Sequence, residues 1–206
     1  PLGASTYGLG QVLAHAITHG ATDIVLGIGG SASTDGGAGM VQAMGARLLD
    51  EQGRDLRLGG AALQALNSLD LAGLRQTLGD VRIVVASDVD NPLLGPRGAA
   101  AVFGPQKGAS PSEVVQLDQA LAIWAKRVGK ATGSDLANRA GAGAAGGTGF
   151  AALALLNAEL RPGIELLLDW LDFDQALLGA DLVITGEGSL DEQSLAGKAP
   201  VGVAQA

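Results

Sequence analysis

"TDIVLGIGGSASTDGGAG", residues 22–39, is an apolar run that empties into a glycine-rich loop. Ile24, Val25, Leu26 and Ile28 show no strict alternation with polar residues, which predicts a strand covered on both faces, as in a parallel or mixed sheet. "VRIVVASD" (81–88) and "ADLVITGEG" (180–188) repeat the design: β-branched or apolar residues, then a small residue, then an acid. Three such strands among helical patterns predict an α/β fold, its sheet mixed or parallel with helices on both faces. The chemistry then belongs beyond the strands' carboxyl ends.

Helical patterns fill the intervals. In "LGQVLAHAITH" (9–19), Leu9, Val12, Leu13, Ala16 and Ile17 share one face and Gly20 is a stop. "SPSEVVQLDQALAIWAKRV" (110–128) opens with Ser110, Pro111 and Glu113, a capping box, and its apolar face runs through Val114, Leu117, Leu121, Trp124 and Val128. "GAGAAGGTGFAALALLNAEL" (141–160) reads as a glycine loop entering an apolar helix that Pro162 ends. In "DWLDFD" (169–174), Asp174 is expected to cap a further helix, with Trp170 and Phe173 in the core.

The 206 residues suffice for one large domain or two small ones. Hydrophobic residues form 47% of the chain but aromatics only 3%, so the core must be built from Ala, Leu, Val and Ile at close backbone spacing. Thirty-three glycines without a three-residue period exclude collagen. A net charge of −8, with no basic stripe, argues against nucleic acid and anionic membrane as partners. No uninterrupted apolar stretch reaches spanning length. The absence of cysteine excludes disulfide and thiolate chemistry and fits a reducing cytoplasm.

Four segments carry candidate chemistry. Residues 27–32 satisfy G-x-G-x-x-A, and Asp50 stands near the distance of a ribose-binding acid, which keeps an NAD(P)-dependent oxidoreductase open. Gly36, Gly37 and Gly39 would weaken the helix such a site needs, so a loop offering N–H groups to an anion fits better, with Gly29, Gly30, Ser31 and Asp35 as candidates. A ligand-free tight turn is the plain alternative. In "SDVDNPLLGPRGAAAVFGPQKG" (87–108), Asp88, Asp90 and Asn91 suit Mg²⁺ or a sugar-acid hydroxyl, while Arg97 and Lys107 can neutralise an anion. Turn chemistry at Asn91-Pro92 explains the same acids. "GAGAAGGTG" (141–149), with Gly146 and Gly147, is either an anion site at a helix start or a segment packed so tightly that only Gly and Ala fit. It is not a P-loop, because the lysine is missing.

The fourth segment is "ITGEGSLDEQSLAGK" (184–198). Ser189 and Glu192 form a capping box, leaving Glu187, Asp191 and Lys198 unexplained. Phosphoryl transfer uses such parts: an acid for Mg²⁺, an acid for the acceptor's proton and a cation for phosphate. His15 and His19 have a zinc-compatible spacing, but no acidic third ligand lies near, and a solvated helix flank is the better reading.

In order along the chain, "STYGLGQ", "GIGGSASTDGGAGM", "DVDNPLLGPRGA", "VFGPQKGA", "GAGAAGGTG" and "TGEGSLDEQSLAGKAPVGVA" resemble the bacterial glycerate kinase family, of the glycerate 2-kinase type. The resemblance implies a two-domain α/β kinase using ATP and Mg²⁺ to phosphorylate D-glycerate, with 2-phosphoglycerate as product in this branch. It implies that residues 1–179 are the family's second α/β domain and that 180–206 cross back into a Rossmann-like first domain. Both ends then read as cut, and isolated catalysis is in doubt. It further implies Asp191 as proton acceptor or hydroxyl orienter, Lys198 as phosphate cation, and Glu187 or Asp88 near Mg²⁺. Ser189 stands where many members carry Arg, and Thr34 where Asn is common, so an Arg–anion contact does not carry over. A non-catalytic sugar-acid or phosphate-binding module is the alternative from another class, and homo-oligomerisation is left open.

Overall fold

The structure is a computed structural model that describes residues 1–188 and 199–206. Its centre is a three-stranded parallel sheet of β1 (Asp23–Gly27), β4 (Arg82–Ala86) and β5 (Glu159–Arg161), in the order β1-β4-β5. Asp23 pairs with Arg82 and Gly27 with Ala86, so the loops leaving β1 and β4 emerge side by side. On the other edge Val84 pairs with Glu159 and Ala86 with Arg161. A separate antiparallel pair joins β2 (Arg47–Leu49) to β3 (Ser68–Asp70).

The expected coverage of the strands holds for the central one. Ile83, Val84 and Val85 are buried in succession, which requires cover on both faces. β1 differs: it lies at the sheet edge, and Val25 reaches solvent while Leu26 is buried. The third expected strand, within 180–188, is corrected. Residues 182–187 adopt no regular structure, and Leu182, Val183 and Ile184 are exposed, the last to 88%. A strand needs a neighbour for its N–H and C=O groups, and no β-ladder among the described residues includes this run.

Among the helices, α1 (Tyr7–Thr18) packs on α2 (Ala38–Ala43) and α3 (Ala72–Leu78). Gly10 permits that approach, since any Cβ there would overlap the Met40 carbonyl. Leu13 is buried as expected, but Val12 is 66% exposed, so the apolar face is narrower than the pattern suggested. The long α5 (Pro111–Thr132) starts in the expected capping box: Glu113 N–H donates to Ser110 Oγ at 3.4 Å, and Ser110 N–H to Glu113 Oε2 at 2.8 Å. Its Leu117, Leu121, Trp124 and Val128 are fully buried. Trp124 meets Phe150 of α6 (Ala144–Leu155) edge to face at 6.4 Å between ring centroids. With so few aromatics, this pair anchors the core.

The α6 helix ends well before Pro162, and β5 occupies the residues between. Pro162 instead precedes α7 (Gly163–Trp170), followed by α8 (Phe173–Leu177), whose first turn holds Asp174 while Asp172 takes the cap position. Trp170 is 67% exposed, contrary to its assignment to the core, and Phe173 is half-buried. After α4 (Ala99–Phe103) comes a 3-10 turn, Pro105–Lys107. The last described helix, α9 (Ala199–Gln205), rests on α7.

Candidate functional site

The loop leaving β1 is fixed from below by Asp35, whose side chain is 0% exposed. Its Oδ2 accepts the Thr6 amide at 2.8 Å, the Thr6 hydroxyl at 2.9 Å and the Gly39 amide at 3.1 Å. Its Oδ1 accepts the Gly37 amide at 3.2 Å. Thr6 Oγ1 in turn accepts the Met40 amide at 2.8 Å. A carboxylate so saturated holds the starts of α1 and α2 together. Asp35 itself does not line the cavity at this loop.

The segment 141–147 threads between the loops that leave β1 and β4. Gly143 N–H donates to the Asn91 carbonyl at 2.8 Å, and Gly36 N–H donates to the Gly146 carbonyl at 2.9 Å. Ala145, Gly146 and Gly147 have φ values of 52°, 67° and 90°, in the left-handed region. A Cβ at Gly146 would overlap the Ser33 carbonyl, and one at Gly147 would stand 2.8 Å from Gly36 Cα. Of the two readings of this segment, close packing accounts for both glycines. Trp124 completes the junction by donating Nε1–H to the Gly36 carbonyl at 2.9 Å.

Above that junction lies a cavity of about 280 Å³, lined by Ser5, Thr6, Gly29, Ser31, Ser33 and Thr148 among others. Lys107 reaches its wall: Nζ donates to Ser31 Oγ at 2.9 Å and to the Ser33 carbonyl at 2.7 Å. Burial pushes this ammonium below the ordinary lysine range, and the nearby Asp35 charge opposes the push. The fold thus gathers Gly29, Ser31 and Lys107, although 76 positions separate Ser31 from Lys107. Gly30, at φ 69°, turns the loop beside them. Ser5, Thr6, Ser33 and Thr148 went unread in the sequence. The one available signal was a hydroxyl pair in "STYGLGQ", directly before a helix.

A second cavity, of about 420 Å³, opens beyond β4, lined by Ser87, Asp88, Asp90, Glu165 and residues of α9. Asp88 Oδ1 accepts the Gly163 amide at 2.9 Å, at the start of α7. Asp90 pairs with Arg97 at 3.4 Å, and Asn91 Nδ2 donates to the Arg97 carbonyl at 2.8 Å. Asp88 and Asp90 present hard oxygens of the type Mg²⁺ takes from one or two carboxylates, the remainder coming from phosphate and water. Among the described residues, however, no three His, Cys, Asp or Glu side chains are grouped to hold a metal by themselves. Asp191 and Lys198, with Ser189 and Glu192, lie outside the described residues.

Asp50 is not a ribose-binding acid in this arrangement. Its carboxylate accepts Arg54 Nε and the amides of Gln52 and Arg54, each at 2.9 Å, and it lines a different cavity from the 27–33 loop. Between Gly29 and Ala38 no helix begins that could receive a pyrophosphate. His15 and His19 stack at 4.0 Å on an exposed flank, with His19 Nδ1 2.8 Å from the His15 carbonyl.

A parallel sheet with a lysine-flanked, hydroxyl-lined cavity at its carboxyl edge, beside an acidic one, defines an α/β domain with its polar loops gathered where such folds place their ligand sites. The family model described as the glycerate kinase family matches residues 1–206, and the chain belongs to that family. It is 50% identical over 206 residues to the glycerate kinase of Bacillus subtilis (strain 168), covering 100% of this chain and 54% of the relative. It is 49% identical over 204 residues to the glycerate 2-kinase of Escherichia coli (strain K12), covering 99% and 54% respectively. A crystal structure of a chain assigned as glycerate kinase 2 from Salmonella typhimurium LT2 superposes with a TM-score of 0.91 at 50% identity, over 100% of this chain and 55% of that one. The chain therefore spans about half the length of the curated relatives it matches. Among the described residues, no helix is long and apolar enough to cross a membrane.

Proposed function

We propose that the full-length protein is a cytoplasmic glycerate kinase, transferring the γ-phosphoryl group of ATP to a hydroxyl of D-glycerate to form phosphoglycerate, with the 2-hydroxyl as acceptor. The observation that carries this reading is identity near one half to a glycerate kinase and a glycerate 2-kinase through the whole chain. The loop geometry supports it, because the loops after β1 and β4 leave the same end of the sheet side by side, and Lys107 reaches the wall of the cavity at the β1 loop.

Mg²⁺ would supply charge neutralisation on the phosphates, held by Asp88 or Glu187. The chain's own groups would do the rest. As the acceptor oxygen bonds to phosphorus and the bond to the ADP oxygen breaks, Asp191 takes the hydroxyl proton and Lys198 balances charge on the transferred group. Gly29, Gly30 and Ser31, with Lys107, would bind anionic substrate. Asp35, Gly146, Gly147 and Asn91 would shape that loop from behind.

The test is a coupled assay of ADP release with D-glycerate, ATP and Mg²⁺, run on this chain and on the full-length protein. Turnover by the full-length protein is expected. A folded full-length protein without turnover overturns the kinase reading, and ligand binding without turnover would favour a binding module. Asp191→Asn should lower kcat by about 100-fold or more, and an unchanged kcat removes Asp191 from the chemistry.

A further inference from the structure

The two cavities at the carboxyl edge differ in charge. The larger is walled by Asp88, Asp90 and Glu165 and no cation of a described residue lines it, although Arg97 and Arg161 pair with the latter two from outside, so a bare carboxylate entering it meets like charge. The smaller has no charged side chain in its lining, and its polar groups are hydroxyls and glycine backbone. The Thr6 hydroxyl is committed to Asp35 and the Met40 amide, and the Thr148 hydroxyl to the Ala145 carbonyl, so Ser5, Ser31 and Ser33 are the hydroxyls placed to meet a small acid carrying hydroxyls of its own.

Lys107 adds the decisive element. Its ammonium has three N–H donors, and the two bonds it makes among described residues go to neutral oxygens, Ser31 Oγ and the Ser33 carbonyl. No carboxylate of a described residue pairs with it: Asp35 acts only through space, its oxygens occupied by Thr6, Gly37 and Gly39. A half-buried ammonium without a contacting counter-ion carries a desolvation cost that an incoming anion would relieve.

Resting on the kinase reading above, we infer that the hydroxyl-lined cavity is the acceptor subsite and that Lys107 is the counter-ion of the acceptor's carboxylate. Ser31 then positions Lys107 while lining the same subsite. The phosphoryl donor, escorted by its cation, is left to the acidic side. The segment 141–147 stands between the two, touching Ser33 through Gly146 and Pro92 through Gly143.

The test uses the full-length enzyme, with D-glycerate and its neutral amide, D-glyceramide, as competing acceptors. Lys107→Met should raise the KM for D-glycerate about 10- to 100-fold, the worth of one charge-assisted hydrogen bond, and leave the KM for ATP within about twofold. Wild type should favour glycerate over glyceramide by a similar factor, and the variant should treat the two alike. A structural role alone would penalise both acceptors equally. Equal penalties, or a rise confined to ATP, overturn the assignment. If Lys107→Met does not fold, Ser31→Ala replaces it: a rise of about 3-fold or more for glycerate but not glyceramide supports the subsite, and equal effects overturn it. Wild type that phosphorylates no glycerate refutes the kinase reading itself. Active wild type with an unaffected Lys107 variant refutes only the subsite.

Discussion

Replacing Asp35 with asparagine preserves the side chain's shape and removes acceptance at one of its two oxygens. If the remaining oxygen keeps the Oδ2 position, the Thr6 and Gly39 amides retain their partner, and only the Gly37 amide faces an NH₂ group. The opposite orientation strands two amides, so the first should prevail. One stranded buried donor costs about 1–3 kcal/mol, and loss of charge assistance from the three bonds retained by that oxygen (the Thr6 amide and hydroxyl and the Gly39 amide) adds about 1 kcal/mol each, giving roughly 4–6 kcal/mol. Asp35→Ala strands all three amides and adds a cavity, which should consume most of a total stability of about 5–15 kcal/mol. Thr6→Val, which costs one hydroxyl donor and the acceptor of the Met40 amide, should fall lower, at about 2 kcal/mol. Urea titration followed by far-UV circular dichroism reads these as midpoint shifts at constant m. An Asp35→Asn protein within about 1 kcal/mol of wild type would refute the reasoning. Unchanged stability with a raised KM for glycerate would return Asp35 to the ligand.

Gly146→Ala places a methyl group on the Ser33 carbonyl at a left-handed φ, and should destabilise by about 2–5 kcal/mol, read by the same titration. A loss below about 1 kcal/mol would mean the two loops are not locked together. For Lys107 the pH sign is fixed by burial: its charged form is lost at lower pH than in an ordinary lysine, so the KM for glycerate should climb with pH before that range is reached. Lys107→Arg keeps its charge and should flatten the climb in the KM–pH profile.

The strands β1 and β4 and the helix α5 were legible because each carries its signal locally. An apolar run empties into small residues in the first two, and a capping box with a 3.6-residue apolar period marks the third. β2, β3 and β5 were not, since three residues are too few for any period and their pairing is decided by tertiary neighbours. The run 180–188 failed in the opposite direction: its composition is that of a strand, but pairing is a property of the partner. Trp170 was placed inside on hydrophobicity, although the helix α7 buries Leu166 and turns Trp170 outward. At the site, Lys107 and Ser31 were each readable as candidates. Their contact spans too many residues for spacing to reveal.

The glycines explain why such a site can be built from a chain with so little aromatic bulk. Gly36, Gly143, Gly146 and Gly147 let three loops meet backbone to backbone, so the loops are fixed by main-chain hydrogen bonds and close contact, with the indole of Trp124 bonded to the Gly36 carbonyl. Apart from Leu9 and Ile28, the cavity wall is then made of small residues, and Ser and Thr supply its polarity. The same interlock sets the charges apart, with Lys107 on the β1 side of the 141–147 segment and Asp88 and Asp90 on the β4 side. On the proposed assignment, an anion and a cation-bearing ligand would be drawn to separate cavities without either site neutralising the other. A lysine placed directly against Asp88 would have paired with it, leaving weaker attraction for both ligands.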